Sequence, residues 1–362
     1  MTPLLTSVYE AGTAGLRWKL DPSKITSRDF FELPEIIRQK FGSLINAPAS
    51  QIAITPSASY GLKAAIENLP KNSGNHSVVM KYEFPSDHYT IAKWSEKNNQ
   101  ELKVISPPQT LVNRGKEWND HLLDAINDDT TAVVLAPLHW ADGTLFDLKR
   151  IGKKCKETNT RLIVDGTQSV GIVPVDISEH NIDALVCASY KWLLGPYSLA
   201  VAYYSESYNN GEPIEDSWMN RANAEDFANL SNFTDEYRPG AARYNMGETT
   251  SPIHLRMLAQ ALDTITSWGV ENLRAYTREL IEPLLVYLRK NNLWVEDDEY
   301  RASHLLGFTL PAFANKTDVM QELQKRKVFV SLRGDNIRVS SHVYNDADDI
   351  GVLVEALNKA LT

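Results

Sequence analysis

The chain has 362 residues, 43% hydrophobic and 23% charged, an ordinary globular balance with length enough for two domains. Its 37 Lys and Arg against 46 Asp and Glu give a net charge of −9, and no dense basic run offers a surface for nucleic acid or anionic lipid. No apolar stretch approaches ~20 residues and Met1–Lys24 lacks a signal-peptide pattern, so the expectation is a cytoplasmic protein with no membrane span.

In chain order, Ala58–Leu69 sets Leu62, Ala65, Ile66 and Leu69 on one face at helix spacing. Val78–Met80 follows as a short apolar run, Asp87–Asn98 reads as helix and Leu102–Ile105 as extended chain. His121–Ile126 reads as helix again, and Thr131–Leu138 is β-branched and apolar. Asp147–Thr158 is an amphipathic helix leading into Leu162–Val164, and the apolar runs Ala184–Ala188 and Leu199–Tyr203 complete the series. This alternation predicts an α/β fold, a mostly parallel sheet sandwiched by helices, with ligands collecting at the carboxyl ends of the strands. Asn209–Arg243 is polar and too long for an ordinary connection, which marks it as an active-site loop. Two long helices, Pro252–Trp268 and Glu271–Arg289, precede strand-like Leu305–Leu310, Val328–Leu332 and Ile337–Ser340. Helical stretches lie between and after these strands, giving a smaller α+β C-terminal domain. The expected organisation is an N-terminal segment at 1–30, a large domain at 31–255 and a small domain at 256–362.

The two cysteines, Cys155 and Cys187, are too few for a disulfide framework and read as buried small hydrophobes. No spacing in the chain suggests a metal site, so none is expected. The chemistry-bearing segments sit after predicted strands. Asp165 ends the apolar run Leu162–Val164, where a buried carboxylate needs a partner, and Lys191 follows the run Ala184–Ala188. A carboxylate and a lysine at successive strand ends are what pyridoxal 5′-phosphate requires: an acid to keep the pyridine nitrogen protonated and an amine to form the imine and then act as base. Either residue alone reads as well as a surface lysine or a structural aspartate. Thr55–Gly61 begins a helix whose free N–H groups suit a phosphate, although Ser57 as a simple N-cap explains the segment equally. Phe84 in Glu83–Tyr89 offers a ring face to a cofactor, or else is core. His139, after the Thr131–Leu138 run, is a candidate catalytic group beside the reading of a satisfied structural histidine. Arg338 in Asn336–Ser341 matches a carboxylate in bidentate fashion, or is an exposed edge residue.

Taken together these segments resemble the class V aminotransferase family of fold-type I pyridoxal-phosphate enzymes, which includes cysteine desulfurases, selenocysteine lyases, kynureninases and isopenicillin N epimerase. The resemblance spans roughly residues 30 to 355. It is strongest at Val164-Asp165-Gly166-Thr167-Gln168-Ser169-Val170-Gly171, Ser189-Tyr190-Lys191-Trp192-Leu193-Leu194-Gly195-Pro196 and Ile337-Arg338-Val339-Ser340. It implies that Lys191 is the Schiff-base lysine, Asp165 the pyridinium partner and Gln168 a contact to the cofactor's phenolic oxygen. Ala58 and Ser59, with Tyr190 and Ser189, would hold its phosphate. Phe84-Pro85-Ser86-Asp87-x-Tyr89 is similar to the kynureninase ring-stacking segment, and Arg338 would bind the substrate α-carboxylate. Arg243–Thr249 is similar to the segment that reaches the neighbouring subunit's phosphate, with Thr249 or Thr250 as the contact, so a homodimer with shared active sites is implied.

Two departures from the family pattern are visible. Residues 311–337 lack the cysteine that receives sulfur in desulfurases, and Met1–Lys24 is shorter than the family's usual covering segment. The expected activity is therefore a lyase-type reaction on a small amino acid, β-elimination or C–C or C–S cleavage, with transamination and epimerisation as the alternatives. Retention of Asp165, Lys191 and Arg338 argues against a non-catalytic relative, and no Gly-x-Gly-x-x-Gly follows a predicted strand to suggest a dinucleotide site. Trp218, Arg221, Tyr237 and Arg238, with His139, are candidates to line the substrate pocket.

Overall fold

The computed structural model describes residues 1–361. Two helices open the chain, α1 (Thr6–Leu16) and α2 (Asp29–Leu44). An alternating series follows: β1 (Ile52–Thr55), α3 (Ala58–Glu67), β2 (His76–Met80), α4 (Pro85–Lys97), β3 (Glu101–Ile105), α5 (Arg114–Ala125) and β4 (Thr130–Leu135). It continues through α6 (Leu148–Glu157), β5 (Arg161–Asp165), β6 (Ala184–Ala188) and β7 (Ala200–Tyr204). After a long irregular stretch come α7 (Pro252–Trp268), α8 (Val270–Lys290), β8 (Leu305–Thr309), α9 (Lys316–Lys325), β9 (Ser331–Arg333), β10 (Asn336–Ser340) and α10 (Ala347–Leu361). The chain is a mixed α/β protein with a large, mostly parallel sheet flanked by helices. Its contacts group into two compact units, one of residues 1–105, 122–137 and 147–268, the other of 106–121, 138–146 and the chain from 269 onward.

The first unit is built on a seven-stranded sheet in the order β1-β7-β6-β5-β4-β2-β3. Neighbours from β6 through β3 are parallel, and β7 is antiparallel to both β6 and β1. Two reversals restore direction, so β1 runs the same way as β6, and the carboxyl ends of β1, β2, β4, β5 and β6 share one edge of the sheet. Interior strands are buried along their length, save Arg161 at the start of β5, as apolar runs must be when helices cover both faces, whereas edge strand β3 exposes Glu101. Leu62 and Ile66 of α3, Ile91 and Trp94 of α4 and Tyr204 of β7 join the core between them. Helix starts are set locally: the Ser57 hydroxyl accepts from the Tyr60 N–H to cap α3, Pro85 occupies the first turn of α4, and the Asp147 carboxylate caps α6.

The second unit carries an antiparallel sheet, β8-β10-β9, against α8, α9 and α10. Leu284 and Leu288 of α8, Phe308 of β8, Ile337 of β10 and Leu353 and Leu357 of α10 are buried together. Two elements lie elsewhere than the pattern predicts. The strand expected over Val328–Leu332 forms at Ser331–Arg333, because Val328 and Val330 pack onto the core before pairing begins. The helix expected over His121–Ile126 starts at Arg114, whose charge is neutralised by buried partners described below.

Candidate active site

The shared edge of the first unit's sheet gathers most of the sequence-selected residues. Asp165 ends β5 and is buried, its Oδ1 accepting the Thr167 N–H at 2.9 Å. Thr167 Oγ1 in turn accepts the Ala188 N–H at 3.0 Å, tying the end of β5 to the end of β6 just ahead of Lys191. The Lys191 ammonium lies 5.5 Å from the centre of the Phe84 ring and 5.7 Å from that of Tyr190, an arrangement in which the ring faces attract the cation. Phe84 is held from behind. The Glu83 carboxylate accepts its N–H at 2.8 Å and, with the other oxygen, the Ala136 N–H beyond β4 at 3.1 Å.

Beside this group stands a second acid, from the segment that also carries Phe84. Asp87, in the first turn of α4, is buried with its carboxyl facing that of Asp165. Burial, then the charges of Asp165 and Glu83, push the Asp87 pKa well above the carboxylate range; the nearby Lys191 only partly offsets them. Asp87 Oδ2 faces no protein donor. A proton kept on Asp87 relieves the repulsion between the two carboxyls, which two carboxylates there would suffer in full. The same surroundings raise the Cys187 thiol, first by burial and then through Asp165, so Cys187 is a core residue rather than a nucleophile.

The other selected residues are placed as follows. Ala58 and Ser59 are the first two residues of α3, where helix N–H groups have no intrahelical acceptor, and Ser59 Oγ lies 3.0 Å from Ser57 Oγ. Gln168 Oε1 accepts the Trp192 indole N–H at 2.9 Å, fixing its amide plane. The Ser189 hydroxyl donates to the Pro196 carbonyl, and Tyr190 rests on Tyr197 with ring centres 4.6 Å apart. Thr249 is buried and donates to the Met246 carbonyl. The N-terminal segment reaches the lysine loop, since Thr2 Oγ1 donates to the Lys191 carbonyl at 2.9 Å. Arg221 and Arg238 are engaged with Asp216 and Glu225 at 2.8 and 2.9 Å, so neither is an open anion receptor.

In the second unit the Trp140 segment joins His139 and Arg338. The Arg338 Nη1 donates to the Trp140 carbonyl at 2.8 Å, and burial together with the Arg333 charge brings its pKa down to about 10. His139 Nδ1 lies 3.1 Å from Asp142 Oδ1, with its ring against Trp118 at 5.1 Å. Burial alone would raise the Asp142 pKa, but His139, Arg114 and the Thr144 N–H outweigh it and hold the carboxyl well below its usual range. Arg114 fixes that aspartate, with nitrogens 2.8 Å from Asp142 and 2.9 Å from Glu296.

A family model described as Aminotransferase class-V matches residues 24–353. The chain belongs to the class-V aminotransferase family. Among class-V relatives, it is 25% identical to the uncharacterized aminotransferase YcbU of Bacillus subtilis, over 89% of this chain and 82% of that one. It is 22% identical to the kynureninase of Shouchella clausii, over 76% of this chain and 66% of that enzyme. In fold it matches a cystine C-S lyase, C-DES, whose structure holds its product cysteine persulfide, with a TM-score of 0.85 at 20% identity over 98% of this chain and 94% of that one. Pyridoxal 5′-phosphate is the cofactor of this fold-type I family, and in a related C-DES structure it is linked covalently to glycine.

Proposed function

We propose that this chain is a pyridoxal-phosphate enzyme that acts on a small amino acid by a lyase-type reaction, with Lys191 carrying the cofactor. The observation that supports this most is the meeting of half-buried Lys191 and Phe84 with the buried carboxyls of Asp165 and Asp87. The residues fit the group. An aldehyde needs the amine, a flat ring needs the Phe84 face, and a pyridine nitrogen needs an acid beside it. The donor-less Asp87 Oδ2 marks a polar demand that the protein leaves open.

When bound, the cofactor supplies an electron sink for charge developing at the substrate Cα. Asp165, beside Asp87, would keep the pyridine nitrogen protonated. Lys191 Nζ would hold the cofactor's aldehyde and, when free, would serve as the base that moves a proton at the substrate Cα. Phe84 excludes water from one ring face. The Ala58 and Ser59 amides, with Tyr190 and Ser189, receive the phosphate, and Gln168 meets the phenolic oxygen. Arg338 binds the substrate α-carboxylate as a fork, and His139, oriented by Asp142, is the second proton-handling group. The working unit is a homodimer; the Thr249 hydroxyl is buried and held by the Met246 carbonyl, so the less buried part of the Arg243–Thr250 segment is what a second copy would meet.

A lyase-type outcome is supported by the Phe84-Pro85-Ser86-Asp87 segment, by the kynureninases among the relatives, and by the C–S lyase fold neighbour. The missing cysteine in residues 311–337 argues against sulfur transfer through a protein persulfide. Similarity to an aminotransferase of Bacillus subtilis favours transamination as the second reading.

The test is the visible spectrum of the purified protein after incubation with pyridoxal phosphate, wild type beside Lys191→Ala. A yellow band that the substitution abolishes is expected, followed by pyruvate or alanine release from one member of an amino-acid panel. A wild type that stays colourless refutes the reading. Keto-acid-dependent conversion of the band without release of a fragment assigns the transaminase instead.

A further inference from the structure

Resting on that reading, we infer that the substrate carries a second acidic group, received by Arg333, so that the site takes an amino dicarboxylate or an amino acid with an equivalent side-chain anion.

The argument starts from charge. Arg333 ends β9 and Arg338 lies within β10, the strand paired with it, where Asn336 faces Arg333 and Arg338 faces Ser331. Both side chains converge on Trp140. The Arg333 guanidinium sits 5.4 Å from the centre of the Trp140 ring, and Arg338 donates to the Trp140 carbonyl at 2.8 Å. Their like charges are close enough that Arg333 depresses the pKa of Arg338. Neither guanidinium meets a carboxylate among the described residues, and the Nε of each is buried without an acceptor. The one other partner of Arg333 among the described residues is the carbonyl of the preceding residue, Leu332, at 2.8 Å.

Elsewhere among the described residues of the unit Arg114, Arg274, Arg289, Arg301 and Arg326 each pair with an acid, and Arg278, which does not, is exposed to water. The two nearest candidates in sequence are already engaged. Asp335, across the Gly334 turn, binds Lys316, and Asp142, two residues past Trp140, is held between Arg114 and His139. Two partly desolvated cations therefore share one place with no counter-charge from the protein. A single α-carboxylate offers one negative charge and at best one bidentate fork, which matches one guanidinium and leaves the other unneutralised. A ligand with two anionic groups matches both. Stacking on Trp140 also keeps the Arg333 fork flat and pre-set, which suits a planar carboxylate rather than a diffuse surface charge.

The experiment compares isosteric pairs on the cofactor-loaded protein. Aspartate against asparagine and glutamate against glutamine are titrated while the yellow band is followed. Succinate against butyrate is titrated by calorimetry, because these ligands have no amine and need no cofactor. The acidic member is expected to bind about tenfold or more tighter in each pair, as a charge-assisted fork provides. Arg333→Gln should equalise the members of each pair, and Arg333→Lys should retain part of the preference. Arg338→Gln should weaken aspartate and asparagine alike. Equal binding of both members by the wild type, or a preference that survives Arg333→Gln, overturns the inference. If Arg333→Gln does not fold, the wild-type pairs and Arg333→Lys decide it. A protein without a yellow band that still prefers succinate over butyrate would retain the arginine pair and reject the cofactor reading, so the two failures are distinguishable.

Discussion

Replacing Asp87 by asparagine tests the carboxyl pair directly. In the unfolded chain Asp87 ionises near the ordinary aspartate value of about 3.9. In the fold, burial and the facing charges of Asp165 and Glu83 make it keep its proton to higher pH. Unfolding above pH ~3.9 therefore releases a proton. The cost to stability is absent below that value, grows as pH rises towards the folded pKa, and is constant beyond it. While it grows, the slope is one proton, or about 1.4 kcal/mol per pH unit. With an unfolding entropy of ~2.1 cal/mol/K per residue, a chain of this size loses roughly 2 °C of melting temperature per pH unit from this source. Asparagine has no such proton to release, yet its amide can still donate to Asp165. Melting curves of the cofactor-free protein from pH 4 to 7 should show Asp87→Asn gaining on the wild type with rising pH by that increment. Asp165→Asn, which removes the facing charge, should flatten the wild-type slope as well. Melting temperatures of wild type and Asp87→Asn that differ by a constant amount at every pH would refute the proton kept on Asp87.

Two further predictions concern the second unit. Arg114→Met strips the buried Asp142 and Glu296 of their common cation and should cost about 3–5 kcal/mol in urea unfolding, with Arg114→Lys intermediate; a loss under ~1 kcal/mol would show the network to be dispensable. His342 is buried with its Nδ1 accepting the Val343 N–H at 2.8 Å, and burial pushes its pKa down to about 4. Its contribution is fully present above pH ~6.5 and is lost as pH falls towards 4. Acid should therefore remove about 3 kcal/mol that His342→Gln does not lose, and equal acid sensitivity of the two proteins would count against it.

The parts of the fold legible in the sequence are those where one force dominates. The strands β4, β5 and β6 are apolar and β-branched because they are buried on both faces, and nothing else produces that pattern. Helices α7 and α8 show their period because each buries one stripe. By contrast α1 was invisible. Its Gly12 and Gly15 lower helix propensity, and the reason for them lies in α7. A Cβ on Gly15 would stand 2.5 Å from the Pro252 carbonyl oxygen, and one on Gly12 would stand 2.9 Å from Met257. The glycines permit close approach of two helices, a requirement set more than 230 residues away along the chain. The strand at Ser331–Arg333 was misplaced for the opposite reason: Val328 and Val330 look like strand because they are core.

The same distinction explains the site. Asp165 and Lys191 could be picked out because each follows a strand that announces itself. Asp87 could not, because its position in the first turn of a helix after Pro85 satisfies a simpler explanation, an acid favoured by the helix dipole. What identifies it is the absence of any donor at Oδ2 and the presence of a second carboxyl, both facts of three-dimensional placement. Arg333 is parallel. In sequence it sits beside Asp335 and looks paired; in the fold Lys316 holds that aspartate and Arg333 turns to Trp140. Uncompensated charge beside a folded core costs stability, so its persistence at Arg333 and Arg338 is best explained by a ligand that brings the missing charge.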